Sequence, residues 1–188
     1  MNTKTEQTTA TVREGYQVLL RAEAVLVLPE EKDVIGNYYR LLSEKCMSWA
    51  VEAHGERIRR DFLSLDDLHD RALWRAQKYR FLMRIPWVSE HHIAILCESY
   101  LLGQSQNTQN SYHRLSHVWN LKEESILPIP QILELFGCGI KLRELPFAPD
   151  GVYPEGEDLI FYKNPTLDTP LAQSKSPLQK NDDREETQ

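Results

Sequence analysis

Six histidines, three cysteines and a cluster of arginines are the residues through which this 188-residue chain could do chemistry. His91 and His92 fall in a predicted turn, with His113 and His117 on a later strand. Four imidazoles could therefore gather near one site. Metal ligation is nevertheless not expected, because four residues along a strand span roughly 13 Å, too far for two ligands of one ion. No Cys or carboxylate accompanies them at a ligand spacing. Glu98, on a predicted central strand, is the carboxylate expected to be partly buried. Together with His92 and His117 it defines one alternative, a hydrolase-like enzyme, although a carboxylate without a partner is weak evidence for proton transfer. The sequence has no Gly-rich phosphate cradle, nucleophile elbow, His-Glu-x-x-His or paired-Cys motif. No catalytic residue, metal or cofactor is assigned, and a non-catalytic binding role is preferred.

Candidate binding residues come from two patterns. Lys78, Arg80 and Arg84 share one parity of an alternating segment and could hold an anion or nucleic acid, though a solvated outer sheet face is the commoner use of such a pattern. Between Arg57 and Arg84 eight basic residues face four acidic ones, a local +4 in a chain of net charge −6. The overall acidity makes nucleic acid and anionic membrane surfaces unexpected partners. Tyr100 and Tyr112, with His113 beside them, bracket a polar loop at 103–111. Recognition residues often sit on loops carried by a rigid scaffold, so these residues are candidates for a binding surface.

The elements that must position these residues follow from periodicity. Hydrophobic residues make up 41% and charged residues 27% of the chain, enough to form a globular core. Residues 1–14 and 168–188 offer almost nothing apolar to bury and are expected to be mobile tails around a single domain at 15–167. Residues 16–28 read as a strand with a buried face. From Val34 to Arg60 the positions Ile35, Tyr38, Leu42, Cys46, Trp49, Ala50 and Ala53 form one stripe of a long helix. Residues 64–77 are expected as a short helix, with Ser64 and Asp67 at capping-box spacing, or as an extended loop. Residues 78–88, 93–102 and 112–121 read as three antiparallel strands. A short helix after Pro130 ends at Gly137, and extended pieces at 141–145 and 159–162 flank a turn. The expected fold is α+β: an antiparallel sheet of four to five strands on one long helix and a short second helix. Cys46, Cys97 and Cys138 fit no disulfide framework or zinc spacing and are expected as buried reduced thiols, in keeping with a cytoplasmic protein. Neither a secretory signal nor a membrane span is expected.

Three stretches carry a family likeness. They are Glu98-Ser99-Tyr100 with a polar loop and Tyr112; Val118-Trp119-Asn120-Leu121 leading to Ile126-Leu127-Pro128 and Leu135-Phe136; and Leu159-Ile160-Phe161-Tyr162-Lys163-Asn164-Pro165. In this order they resemble the C-terminal domain of RsiV-type anti-sigma factors, a bacterial domain also found as a stand-alone protein, over residues 79–165. In those anti-sigma factors the domain lies outside the membrane and recognises lysozyme, while a cytoplasmic segment and a membrane helix signal. Neither segment is expected here. The polar loop lacks the family's Gly-Gly-Ala-His-Gly-like sequence, and the strand that usually follows the Asn-Pro element is not expected. The resemblance implies the fold and a general binding role, with an unidentified protein or glycan ligand as the expected partner, but it carries over neither the ligand's identity nor anti-sigma function.

Overall fold

The computed structural model describes residues 1–102, 112–166 and 168–178. The chain begins with β1 (Thr3–Glu14) and β2 (Gln17–Pro29), joined by a tight turn in which Gly15 takes a φ of 55°. Glycine reaches that left-handed conformation without the Cβ clash of other residues. A helical rod follows as α1 (Asp33–Trp49), a π-helical turn (Ala50–His54) and α2 (Gly55–Leu63), and then the short α3 (Leu68–Ala72). Next come β3 (Gln77–Val88), β4 (His92–Leu102), β5 (His113–Asn120), β6 (Ser125–Ile126) and α4 (Ile129–Leu135). A 3₁₀ turn (Leu142–Glu144) leads to β7 (Gly151–Glu155), β8 (Asp158–Lys163) and β9 (Ala172–Pro177).

The fold is α+β, but its strands form two sheets rather than one of four to five strands: a six-stranded sheet in the order β1 to β6, and a three-stranded sheet β7-β8-β9. Nor is the larger sheet wholly antiparallel. β1 and β2 are antiparallel, whereas β2 and β3 run parallel, with Ala22 opposite Tyr79 and Leu26 opposite Met83. A parallel pair needs a long crossover, and the helices between β2 and β3 supply it. No helix among the described residues is long and apolar enough to cross a membrane.

The chain separates into two compact units, the first of residues 1–84 and 97–114, the second of residues 85–96 and 115–188. In the first, residues 3–14 are a strand rather than the expected mobile tail. Composition misled here because threonine, which dominates β1, is polar yet favours extended backbone. The strand is also secured from the helical side. Glu6 accepts two hydrogen bonds from Arg40, Nε to Oε2 and Nη2 to Oε1, both at 2.9 Å. Glu14 pairs with Arg59 at 3.1 Å. Val12 is the buried residue of β1, and a Cβ on Gly55 would come within 2.9 Å of its Cγ2, so the small residue in α2 lets strand and helix meet.

The long helix buries Ile35, Tyr39, Ser43, Met47 and Ala50, a row of mostly four-residue steps beside the expected stripe. Tyr38 and Trp49 are exposed, and so is Ala53. The π turn adds a residue to one helical turn, so burial resumes at Gly55, Ile58 and Phe62 instead of drifting off the sheet. In α3 the cap is Asp67, whose Oδ1 accepts from the His69 amide at 2.8 Å, while Ser64 closes α2.

The second unit packs Ala94, Val118, Ile132, Phe136, Val152, Leu159 and Phe161 together, with Trp87 edge-on to Phe136 at 4.9 Å. Residues 149–156, expected as a turn, include β7, and 141–145, expected as extended, hold the 3₁₀ turn. The strand missing from the family likeness is present: β9 follows Asn164-Pro165 and pairs with β8, Ile160 opposite Lys175. It lies inside the stretch expected to be a mobile tail. Its sequence, Ala-Gln-Ser-Lys-Ser-Pro, has no apolar alternation to betray it, and only Ser176 is buried. A Cβ on Gly151 would lie 2.8 Å from Ser116 Oγ, where the Ser116 hydroxyl donates to the Val152 carbonyl at 2.9 Å and accepts from Tyr162 at 3.1 Å.

Candidate functional site

The first unit carries a connected polar surface on one face of its sheet. Strand alternation dictates which residues meet there: Ala22, Ala24, Tyr79, Phe81, Met83 and Leu101 are buried, so Arg21, Glu23, Lys78, Arg80, Arg84, Glu98 and Tyr100 fall on the opposite parity.

Glu98 is its most engaged member. Its Oε1 accepts hydrogen bonds from the Tyr112 hydroxyl and from Arg114 Nη2, the latter at 2.9 Å. Its Oε2 lies 3.8 Å from Arg84 Nε. Arg114 also donates to the Tyr112 hydroxyl from Nη2 at 2.7 Å, and its guanidinium sits 5.5 Å from the centre of the Tyr112 ring. The side chains of Glu98 and Arg114 retain only 19% and 9% of their exposure, so this is a largely desolvated ion pair. Burial pushes the Glu98 pKa upward, but hydrogen bonds from Tyr112 and Arg114 and the nearby guanidinium charges outweigh it and leave the carboxyl below its ordinary value. Burial and the bond to Glu98 drive the Tyr112 hydroxyl the other way, well above its usual range. The carboxylate is held ionised, the phenol protonated, and the two form a fixed donor–acceptor pair.

That network presents aromatic surface. The Tyr100 and Tyr112 rings stack with centroids 6.3 Å apart and planes inclined by 23°. A hydrogen bond to Tyr100 raises the Arg80 pKa, and Arg80 Nε is 3.2 Å from Glu23 Oε2. Glu23 Oε1 in turn accepts from Gln7 at 2.7 Å. Side chains from β1 to β4 and from Tyr112 are thus joined in one polar strip.

Of the residues singled out from sequence, Tyr100, Tyr112, Arg80 and Arg84 come together here. Lys78 is exposed on the same strand and lines a groove of about 390 Å³ with β1 and β2 residues. His113 is exposed and has no part in the network. The loop at 103–111 lies outside the described residues. Glu98 belongs to the first unit, His92 and His117 to the second. Burial holds His117 at a pKa of about 4, so it is neutral near pH 7. Among the described residues no three His, Cys, Asp or Glu side chains are grouped to hold a metal. Sequence reasoning missed Arg114. The available signal was that a half-buried Glu98 needs a cation, and Arg114 lies two residues beyond Tyr112 on the same parity.

No protein-family model matches the sequence, and no curated protein matches it. The fold is similar to the crystal structure of a DUF3298 family member from Bacteroides fragilis, at 10% identity and a TM-score of 0.51 over 94% of this chain and 89% of that one. It is likewise similar to a DUF3298 family protein from Pseudomonas aeruginosa, at 14% identity and a TM-score of 0.50, with coverage of 94% and 89%. At these identities the likeness concerns the fold.

Proposed function

We propose that this chain is a non-catalytic binding module that recognises a protein or cell-wall-derived glycan through Tyr100 and Tyr112. One observation carries the reading: both Glu98 oxygens face cationic or hydroxyl partners, and the Tyr112 hydroxyl is locked against it. A carboxyl held below its ordinary pKa and a phenol held above its own are poorly matched to proton transfer near neutral pH. They hold a tyrosine pair rigid, and rigid aromatic surface loses little conformational entropy on association. The RsiV-type likeness in Glu98-Ser99-Tyr100 and Tyr112 supports the same role. Three free cysteines, Cys46, Cys97 and Cys138, support a cytoplasmic setting.

The test is affinity capture from a bacterial lysate and against muropeptide fragments, comparing the wild type with Tyr100→Ala, Tyr112→Ala and Tyr112→Phe. The expected result is a captured ligand that is lost with Tyr100→Ala and retained with Tyr112→Phe if the ring makes the contact. Capture of the same ligand by Tyr100→Ala and Tyr112→Ala alike removes the reading.

A further inference from the structure

The groove between β1, β2 and β3 has a charge pattern that folding alone does not explain. Register places two rows side by side across these strands. In one, Thr9 is opposite Glu23 and Glu23 opposite Arg80, and the opposite charges pair at 3.2 Å. In the next, Thr11 is opposite Arg21 and Arg21 opposite Lys78. Like charges side by side on neighbouring strands repel one another. Among the described residues no carboxylate lies within ion-pair distance of Arg21 or Lys78, although the chain has an excess of acidic residues. Arg13 lines the same groove, so four cations and the single carboxylate Glu23 surround a volume of about 390 Å³. That volume is at the lower end of the range for small-molecule sites, about 300–1,000 Å³.

We infer that this groove binds a phosphoryl group, with Arg21 and Lys78 as its principal ligands and the Thr9 and Thr11 hydroxyls as further donors. A guanidinium offers a planar fork, an ammonium a point charge, and hydroxyls short neutral bonds. A phosphate has enough acceptor oxygens to engage all of them at once, whereas a carboxylate has two. The bound dianion would cancel the repulsion between Arg21 and Lys78. Arg80 borders both the groove and Tyr100, but the principal ligands Arg21 and Lys78 take no part in the Tyr100–Tyr112 reading, so either can fail alone.

The experiment is isothermal titration of the full chain at low salt with inorganic pyrophosphate, a nucleoside diphosphate, a short single-stranded oligonucleotide and citrate. Saturable binding of pyrophosphate is expected, weakened about tenfold or more by the double variant Arg21→Gln/Lys78→Gln and unchanged by Arg60→Gln on α2. Tighter binding of the nucleoside diphosphate identifies a small phosphate ester as the source. Tighter binding of the oligonucleotide, with affinity falling steeply as salt rises, identifies a polymer backbone instead. Circular dichroism confirms that the variants, both altered at exposed positions, remain folded. The inference is overturned by absence of saturable pyrophosphate binding, by equal binding in the double variant, or by citrate binding as tightly as pyrophosphate.

Discussion

The two units of this chain handle polar groups by opposite means. In the first, charges cross from element to element: Glu6 to Arg40, Glu14 to Arg59, Glu23 to Arg80 and Glu98 to Arg114. In the second, the half-buried hydroxyls pair with neutral groups, the Tyr162 hydroxyl with Ser116 and the Ser116 hydroxyl with the Val152 carbonyl, while the Lys175–Asp158 ion pair across β8 and β9 stays exposed. The lesson is one of dielectric surroundings. An exposed ion pair contributes little because water competes for it, a desolvated one is costly to break, and a neutral hydroxyl pair can be buried without either penalty.

Three experiments sharpen that contrast. The largest effect is expected from Arg114→Met, which leaves the Glu98 carboxylate desolvated and short of its closest cation; stability should fall by about 3–5 kcal/mol in urea unfolding. A loss within ~0.5 kcal/mol would mean that water already reaches the pair.

A smaller effect should appear on acidification. His117 has its pKa lowered from 6.5 to about 4 by burial, so the folded state favours the neutral ring. Its contribution is complete above pH 6.5 and is lost as pH falls from there through about 4. At full protonation the loss approaches about 3 kcal/mol. His117→Asn should flatten the stability profile between those limits, and an unchanged profile would assign the acid sensitivity to other groups.

The smallest effect is expected at Glu6, whose carboxyl is held at about 2, first by its hydrogen bonds from Arg40. A depressed carboxylate stabilises the fold above its unfolded pKa, 4.5, and that stability disappears as pH falls toward 2. Because Glu6 and Arg40 are each about a third exposed, screening limits Glu6→Gln to about 1 kcal/mol or less. Faster hydrogen exchange confined to β1 amides would register it, whereas global destabilisation would show that the pair supports more than the edge strand.

How far the fold was legible depended on whether its driving force leaves a periodic trace. The strands at 77–88 and 92–102 did so, through alternation in Tyr79, Phe81 and Met83 and through continuous burial from Ile93 to Cys97. β1 and β9 did not, since each is held by backbone pairing to a neighbour and by few buried side chains. The parallel pairing of β2 with β3 was readable from the strand–helix–strand order, but alternation alone does not report direction. In the candidate site, Tyr100, Tyr112 and Glu98 were recognisable by type and position. Arg114 left only an indirect signal, its parity with Tyr112, and the Arg21–Lys78 row left none, because it depends on a register that joins residues 57 apart in sequence.

The turn at Gly15 has a consequence for the protein in solution. By folding β1 back along β2 it makes a twelve-residue strand the outer margin of the larger sheet. Such a margin offers backbone amides and carbonyls as a template on which another molecule can add a strand and begin a fibril. Lys4, Glu6, Arg13 and Glu14 punctuate it with charge, and the register shift between Val12 and Arg13 disturbs its regularity. Glu6 and Glu14, which dock β1 on the helices, thus also guard the protein against templated aggregation.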